Sequence, residues 1–431
     1  MKNELKKLEK GQWTDEQWKA IVADGQDILV AAAAGSGKTA VLVERIIRKL
    51  TDNQHPVDVD RLLIVTFTNA AAAEMRSRIG EALAKALRKQ PSSLHLRRQL
   101  TLLNKAQIST LHSFCLQVVR KFYYKIDIDP GFRIADETEM ELLMEDCMDE
   151  LLEEEYGMEH NELFFELVDK YTGDRSDDEI KKIIRSIYEF ARSNPFPEKW
   201  LDEMVQMYDI EQAESYEDLP FFQYLRKDIA IQLSGIKDLL ARALDITKLP
   251  GGPSPRAENL LDDMKQVENI INASSWQELA EQMRAFQPTR AKACRGEEYR
   301  KELIDEVTEM RKKATKEIEK LKNELFSRDI QNQLLDLKKM KRTMICLADL
   351  VKKFAVRLEA MKKEKGIVDF SDLEHYCLQI LTEKDEKGNV VPSDAALFFK
   401  RQFQEVLVDE YQDTNLVQEA ILKLVSKDHE A

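Results

Sequence analysis

Apolar and polar positions follow two textures along this chain. In the first, short unbroken apolar runs end in small or polar residues and pass directly into amphipathic stretches. Ile28-Leu29-Val30-Ala31-Ala32-Ala33 is one run; it turns through Ala34-Gly35-Ser36-Gly37 into Lys38-Thr39 and the amphipathic 41–50. Arg61-Leu62-Leu63-Ile64-Val65-Thr66 is a second, ending in Phe67-Thr68-Asn69 and feeding a helix through Ala70 to Arg76. A shorter one at Ile108-Ser109-Thr110 leads into Leu111-His112-Ser113, and Glu405-Val406-Leu407-Val408 carries Asp409-Glu410 at its tip. Runs of this length predict buried strands, and the periodic stretches after them predict helices. Strand–helix units in succession predict an α/β fold with a parallel sheet, whose ligands sit at the carboxyl ends of the strands.

The second texture covers 136–365, where strand patterns disappear and charged amphipathic helices dominate. Leu303, Val307, Met310, Ala314, Ile318, Leu321 and Leu325 recur at steps of three and four. They predict one buried stripe on a long helix, packed against an antiparallel return over Leu334–Met361. Lysines beside that stripe alternate with acidic residues, as on a solvated face. The expected organisation is therefore a flexible 1–12, a sheet domain begun over 13–135, a large all-helical insertion over 136–365, and completion of the sheet domain over 366–431.

Composition narrows this picture only a little. The chain has 431 residues, too many for one ordinary core. It is 43% hydrophobic and 33% charged with a net charge of −14, so attraction of phosphate by the whole surface is absent. Any nucleic-acid contact must come from a local groove. No apolar run approaches the roughly 18 residues of a membrane span, and no secretory leader pattern opens the chain, which predicts a cytoplasmic protein without membrane contact. Five dispersed cysteines without a Cys-x-x-Cys pair predict reduced, packed thiols rather than disulfides or a metal ribbon.

Chemistry enters at the run ends. Residues 32–39 combine small side chains, two glycines, a lysine and a threonine between a strand and a helix, which is the composition of a phosphate-binding loop. Backbone N–H groups of Ala32, Ala33, Ala34, Gly35, Ser36 and Gly37 would close around phosphates, and Lys38 would reach the β and γ oxygens. Thr39 would ligate magnesium, so ATP and Mg2+ are the implied cofactors. The loop departs from the usual pattern in having Ala32 at the leading glycine. Asp409 is the expected second magnesium ligand, and Glu410 the group that orients or deprotonates an attacking water. Upstream, Thr14 and Gln17 form a capping box, or Gln17 reads an adenine edge with its amide. Phe67 is either a core aromatic or a base-stacking one, with Thr68 and Asn69 beside it to hold a phosphate or cap a helix. Thr110, His112 and Ser113 suit backbone phosphate contact, although an isolated histidine is also an ordinary surface residue.

Five of these pieces stand in one order: Thr14-x-x-Gln17, Ala34-Gly35-Ser36-Gly37-Lys38-Thr39, Thr66-Phe67-Thr68-Asn69-x-Ala71-Ala72-x-Glu74-Met75, Ser109-Thr110-Leu111-His112-Ser113 and Asp409-Glu410-Tyr411-Gln412-Asp413. In that order they resemble the first motor domain of superfamily 1 DNA helicases of the UvrD type, and the wider text resembles the AddAB-type helicase–nuclease branch. The resemblance implies a RecA-like P-loop NTPase sheet with a 1B-type helical subdomain, and adds Gln412 to the nucleotide-binding set. It implies 3′ to 5′ translocation on single-stranded DNA, entry at duplex ends, double-strand-break repair and recombination, and a heterodimeric partner of the AddB type. It makes Gln17 an adenine reader, Phe67 a base stacker, and Thr68, Asn69, Thr110, His112 and Ser113 strand contacts. Only sixteen residues (416–431) follow Asn415. A second motor domain with the arginines that clamp the γ-phosphate, and a nuclease domain, are thus expected outside these 431 residues. Such arginines are worth about 10³–10⁵ in turnover in related enzymes, so this stretch alone is expected to hydrolyse ATP near background and to bind single strands weakly.

Overall fold

A computed structural model describes residues 13–33, 35–52, 54–172 and 176–427. The expected flexible segment 1–12, and Ala34 of the loop, lie outside the described residues. The chain divides into two compact units: one of 1–159, 176–200 and 351–431, the other of 160–175 and 201–350. The texture change at 136 and 365 is therefore not where the units divide. Segments 136–159, 176–200 and 351–365 belong with the first unit, and the long helix Ile330–Lys365 passes from the second unit into the first.

The first unit is organised by a three-stranded parallel sheet of β1 (Leu62–Thr66), β2 (Gln107–Thr110) and β3 (Glu405–Val408), in the order β2-β1-β3. Register pairs Thr66 with Thr110 and Val65 with Val408, so all three carboxyl ends open on one side. Six helices matter for the site: α1 (Asp15–Val22), α2 (Lys38–Thr51), α3 (Asn69–Lys89), α4 (Leu111–Phe122), α5 (Phe370–Leu381) and α6 (Leu416–Val425). Alternation along β1 explains the layers. Leu62 and Ile64 face a core shared with Ile46 and Leu50 of α2 and Met75, Ile79 and Leu83 of α3. Leu63 and Val65 face the opposite core, with Phe114 and Val118 of α4, Leu373 and Cys377 of α5 and Ile421 of α6. A strand covered on both faces must be apolar at every position, and β1 is buried throughout.

One expected strand is missing. Residues 28–33 carry no strand pairing, and Ile28, Leu29 and Val30 are exposed, Leu29 at 77%. Among the described strands β3 is hydrogen-bonded only to β1, so its outer edge is left without a partner. An apolar run without a hydrogen-bonded neighbour gains no ladder and does not settle as a strand.

The second unit is all-helical around Trp276, which is stacked on Tyr216 with centroids 4.6 Å apart and packs against Phe326. The stripe on Lys301–Leu325 buries Val307, Ala314, Ile318 and Leu321. It packs chiefly on the helix Phe222–Thr247, with Leu334 in the same core. Arg311 grips the buried Asp263 through Nε and Nη2, at 2.5 and 3.0 Å. Among the described residues no helix is long and apolar enough to cross a membrane, and the five cysteines are free thiols.

Candidate functional site

Local sequence fixes the loop before α2. Gly35 and Gly37 have φ of 77° and 83°, a region open to glycine at no steric cost, and each reverses the chain where a Cβ would resist it. Gly37 is the cap of α2 and offers no side chain, so the first-turn N–H groups of that helix have no capping oxygen. Uncapped N–H groups together with the helix dipole form an anion cradle. Lys38 Nζ crosses the loop to donate to the Ala32 carbonyl at 3.1 Å. Ser36 N–H donates to the Ala33 carbonyl at 3.3 Å, and Thr39 is half-buried in the first helical turn.

Beside the loop, α1 packs on α2 through Trp18, Ile21 and Val41. Thr14 and Gln17 form the reciprocal capping box. Gln17 also reaches forward: its Oε1 accepts from Thr14 N–H at 3.0 Å while Nε2 donates to the Ser36 carbonyl at 3.0 Å. The amide that caps α1 thus touches the phosphate-type loop directly.

The strand ends supply the rest. Asp409 N–H donates to the Val65 carbonyl at 2.9 Å, extending the β3–β1 ladder by one bond. Glu410 then leaves the extended run at φ 56°, ψ 48°, a left-handed conformation that costs a non-glycine residue energy. The two carboxylates therefore part by a turn rather than by strand alternation. Gln412 Nε2 donates to Glu410 Oε2. Burial pushes the Asp409 carboxyl above its usual range and the neighbouring Glu410 charge adds to this; Lys38 pulls the other way.

This donor set fits a magnesium-bound triphosphate. Magnesium takes hard oxygens, few of them from protein, and Thr39 Oγ1 with the Asp409 carboxylate are such donors. Among the described residues no group of three or more His, Cys, Asp or Glu side chains gathers as a metal cage. A cation would also relieve the half-buried carboxyl.

Phe67 stands 66% exposed at the end of β1, so the core alternative for it is set aside. Thr68, not Asn69, caps α3, accepting from Ala71 N–H at 3.1 Å, and Asn69 is exposed in the first turn. Thr110 is buried; it caps α4 and shares a 2.9 Å hydrogen bond with Ser113 Oγ. His112 is not isolated. Its Nε2 lies 2.9 Å from Glu374 Oε1, and its ring packs on the exposed Phe370 at 4.9 Å.

Two positions escaped the sequence reading. Arg45 of α2 is buried and donates to the Ala20 and Ala23 carbonyls at 3.1 and 2.5 Å, and through Nε to Glu405 Oε1 at 2.7 Å; Lys49 adds an ion pair to Glu405. The pair ties the loop's helix to the base of β3. Its signal was present: Arg45 lies on the stripe formed by Val41, Ile46 and Leu50. Glu374 had no such signal, because its three partners come from 112, 415 and 418.

The profile described as the UvrD/REP helicase N-terminal domain matches residues 13–431. A Bacillus licheniformis protein, named as the A subunit of an ATP-dependent helicase/nuclease, is 58% identical over 99% of this chain and 35% of its own length. Proteins of the same name from Bacillus velezensis and Geobacillus kaustophilus are 57% and 56% identical, each over 97% of this chain and 34% of the relative. The chain spans about a third of the length of these curated relatives.

Proposed function

We propose a function from one premise: the chain belongs to the UvrD/REP helicase N-terminal domain family. It is the N-terminal motor portion of an ATP-dependent 3′ to 5′ DNA helicase, within a helicase–nuclease that serves double-strand-break repair and recombination in the cytoplasm. The first unit is the first half of a RecA-like motor and the helical unit its 1B-type subdomain. The whole enzyme pairs with a partner of the AddB type and acts on duplex ends and single strands. A second motor domain completes its catalytic site.

ATP with Mg2+ supplies the phosphoryl bond that is hydrolysed. The loop 32–37 and the α2 N-terminus bind its phosphates, Gln17 reads the base, and Lys38 holds the β and γ oxygens. Thr39 and Asp409 hold the metal. Glu410 would orient the attacking water, and Gln412, hydrogen-bonded to Glu410, would complete the nucleotide-binding set. Phe67 stacks a base of the single strand, with Thr68, Asn69, His112 and Ser113 on the backbone and Thr110 fixing the turn that presents them.

The observation that carries this reading is the glycine loop running into an uncapped helix, hydrogen-bonded to Gln17 and in the same unit as the strand that ends at Asp409 and Glu410. Titration with a fluorescent ATP analogue tests it. Lys38→Ala is expected to weaken magnesium-dependent binding by about 100-fold, the loss of one charge-assisted contact of roughly 2.7 kcal/mol. Unchanged binding would overturn the assignment.

A further inference from the structure

Glu374 is a carboxylate 3% exposed on α5, and no described residue of the nucleotide loop hydrogen-bonds to it. Three side-chain donors converge on it. His112 Nε2 and Gln418 Nε2 reach Oε1 at 2.9 and 2.6 Å, and Asn415 Nδ2 reaches Oε2 at 3.2 Å. These donors belong to two different places. His112 stands on the first turn of α4, at the carboxyl end of β2. Asn415 caps α6, accepting from Gln418 N–H at 2.8 Å, and is separated only by Thr414 from the turn Tyr411–Asp413 that Glu410 opens.

We propose that Glu374 is a positioning residue that couples the strand-facing imidazole of His112 to the segment following the Asp409–Glu410 pair. The inference rests on the reading that His112 faces a single strand. An ionised carboxylate only accepts, so His112 Nε2 carries the hydrogen and Nδ1 is left for the strand. The donors hold Glu374 ionised: burial raises its pKa, and His112, Gln418 and Asn415 together lower it below the usual value. A buried carboxylate short of a donor is costly, whereas the hydrogen bonds themselves contribute modestly. Any shift of 411–415 on nucleotide binding therefore either strips donors from Glu374 or is passed to His112. Coupling of this kind is reciprocal: nucleotide changes strand affinity by the factor that strand changes nucleotide affinity. Isolated histidines lack such a tether; this one is linked through a single buried group to the nucleotide side.

The test uses the full-length protein and a fluorescent oligothymidylate, titrated with and without a non-hydrolysable ATP analogue. The readout is the ratio of the two affinities. Glu374→Gln is expected to move that ratio at least about fivefold toward one, and Gln418→Ala, which keeps the carboxylate, to move it the same way. Added to His112→Ala, Glu374→Gln should change the ratio no further, since both act through one contact. Equal weakening with and without the analogue would mark a merely structural role and overturn the proposal, as would a ratio of one in the unaltered protein. His112→Ala leaving strand affinity unchanged would remove the reading of His112 itself. A His112 effect without a Glu374 effect would sink the coupling alone.

Discussion

Two apolar runs of similar length, 28–33 and 62–66, meet opposite fates in one unit. Leu62–Thr66 is the centre of the sheet, hydrogen-bonded on both sides and buried at every position. Ile28-Leu29-Val30 is exposed and unpaired, yet the loop after it is held in shape by other means. Those means are side-chain contacts: Gln17 to Ser36, Lys38 to Ala32, and Arg45 binding α1, α2 and Glu405 together. Apolar character nominates a strand; only a hydrogen-bonded partner makes it one. The difference also separates what the two regions contribute. One provides stability and a common edge for the strand ends, and the other is a glycine turn whose geometry depends on a few polar bonds.

The largest test of this contrast is Ile64→Ala. Ile64 is fully buried between strand partners and the α2–α3 core, so truncation should cost about 2–5 kcal/mol of unfolding free energy. Denaturant unfolding of the chain followed by circular dichroism measures it. A loss below about 1 kcal/mol would mean that the sheet is not the stabilising half of the pair.

Acid provides a second, smaller test aimed at the same half. His375 on α5 is half-buried, its ring hydrogen-bonded to the Arg192 carbonyl at 2.8 Å, and that burial, with the Arg192 charge, pushes its pKa down to about 4. The folded state thus refuses a proton that the unfolded chain accepts near pH 6.5. Its contribution is fully present above pH 6.5 and is lost as pH falls toward 4. Between about pH 6.5 and 5 the loss should be on the order of 2 kcal/mol, and His375→Gln should flatten it. The apolar cluster joining α1 to α2, made of Trp13, Trp18, Ala20, Ile21 and Val41, has no histidine to add to this window.

Much of this was legible in the chain because it is local. The strands at 62–66, 107–110 and 405–408 follow from runs whose partners are one another, and the capping box at Thr14 follows from spacing of three. Parallel pairing put Phe67, His112 and Asp409 at one edge, as strand–helix order required. What stayed hidden was set by partners remote in sequence. Lys362 gives no sign that it lies buried against Asp369 and Asp372 with Arg192 beside them. Burial alone would lower the pKa of Lys362, but those carboxylates keep it raised. The unpaired run at 28–33 misled for the same reason, since strand formation is a property of two segments. Texture likewise missed the unit division, because charged amphipathic helices look alike whether they belong to the sheet unit, as 176–200 does, or build the second unit.

The smallest expected effect comes from Leu29, and it sharpens the contrast more than a large one would. A leucine at 77% exposure has little apolar area left to lose, so Leu29→Ser should change unfolding free energy by no more than about 0.5 kcal/mol. The same substitution in a buried strand would remove a full side chain's burial, about 1.5–3 kcal/mol, before any cavity is counted. Measured beside Ile64→Ala in the same buffer, the pair isolates burial from hydrophobicity, since both runs are equally apolar on paper. A loss at Leu29 approaching that at Ile64 would mean that 28–33 is paired in solution, with the edge of β3 as the first place to seek its partner.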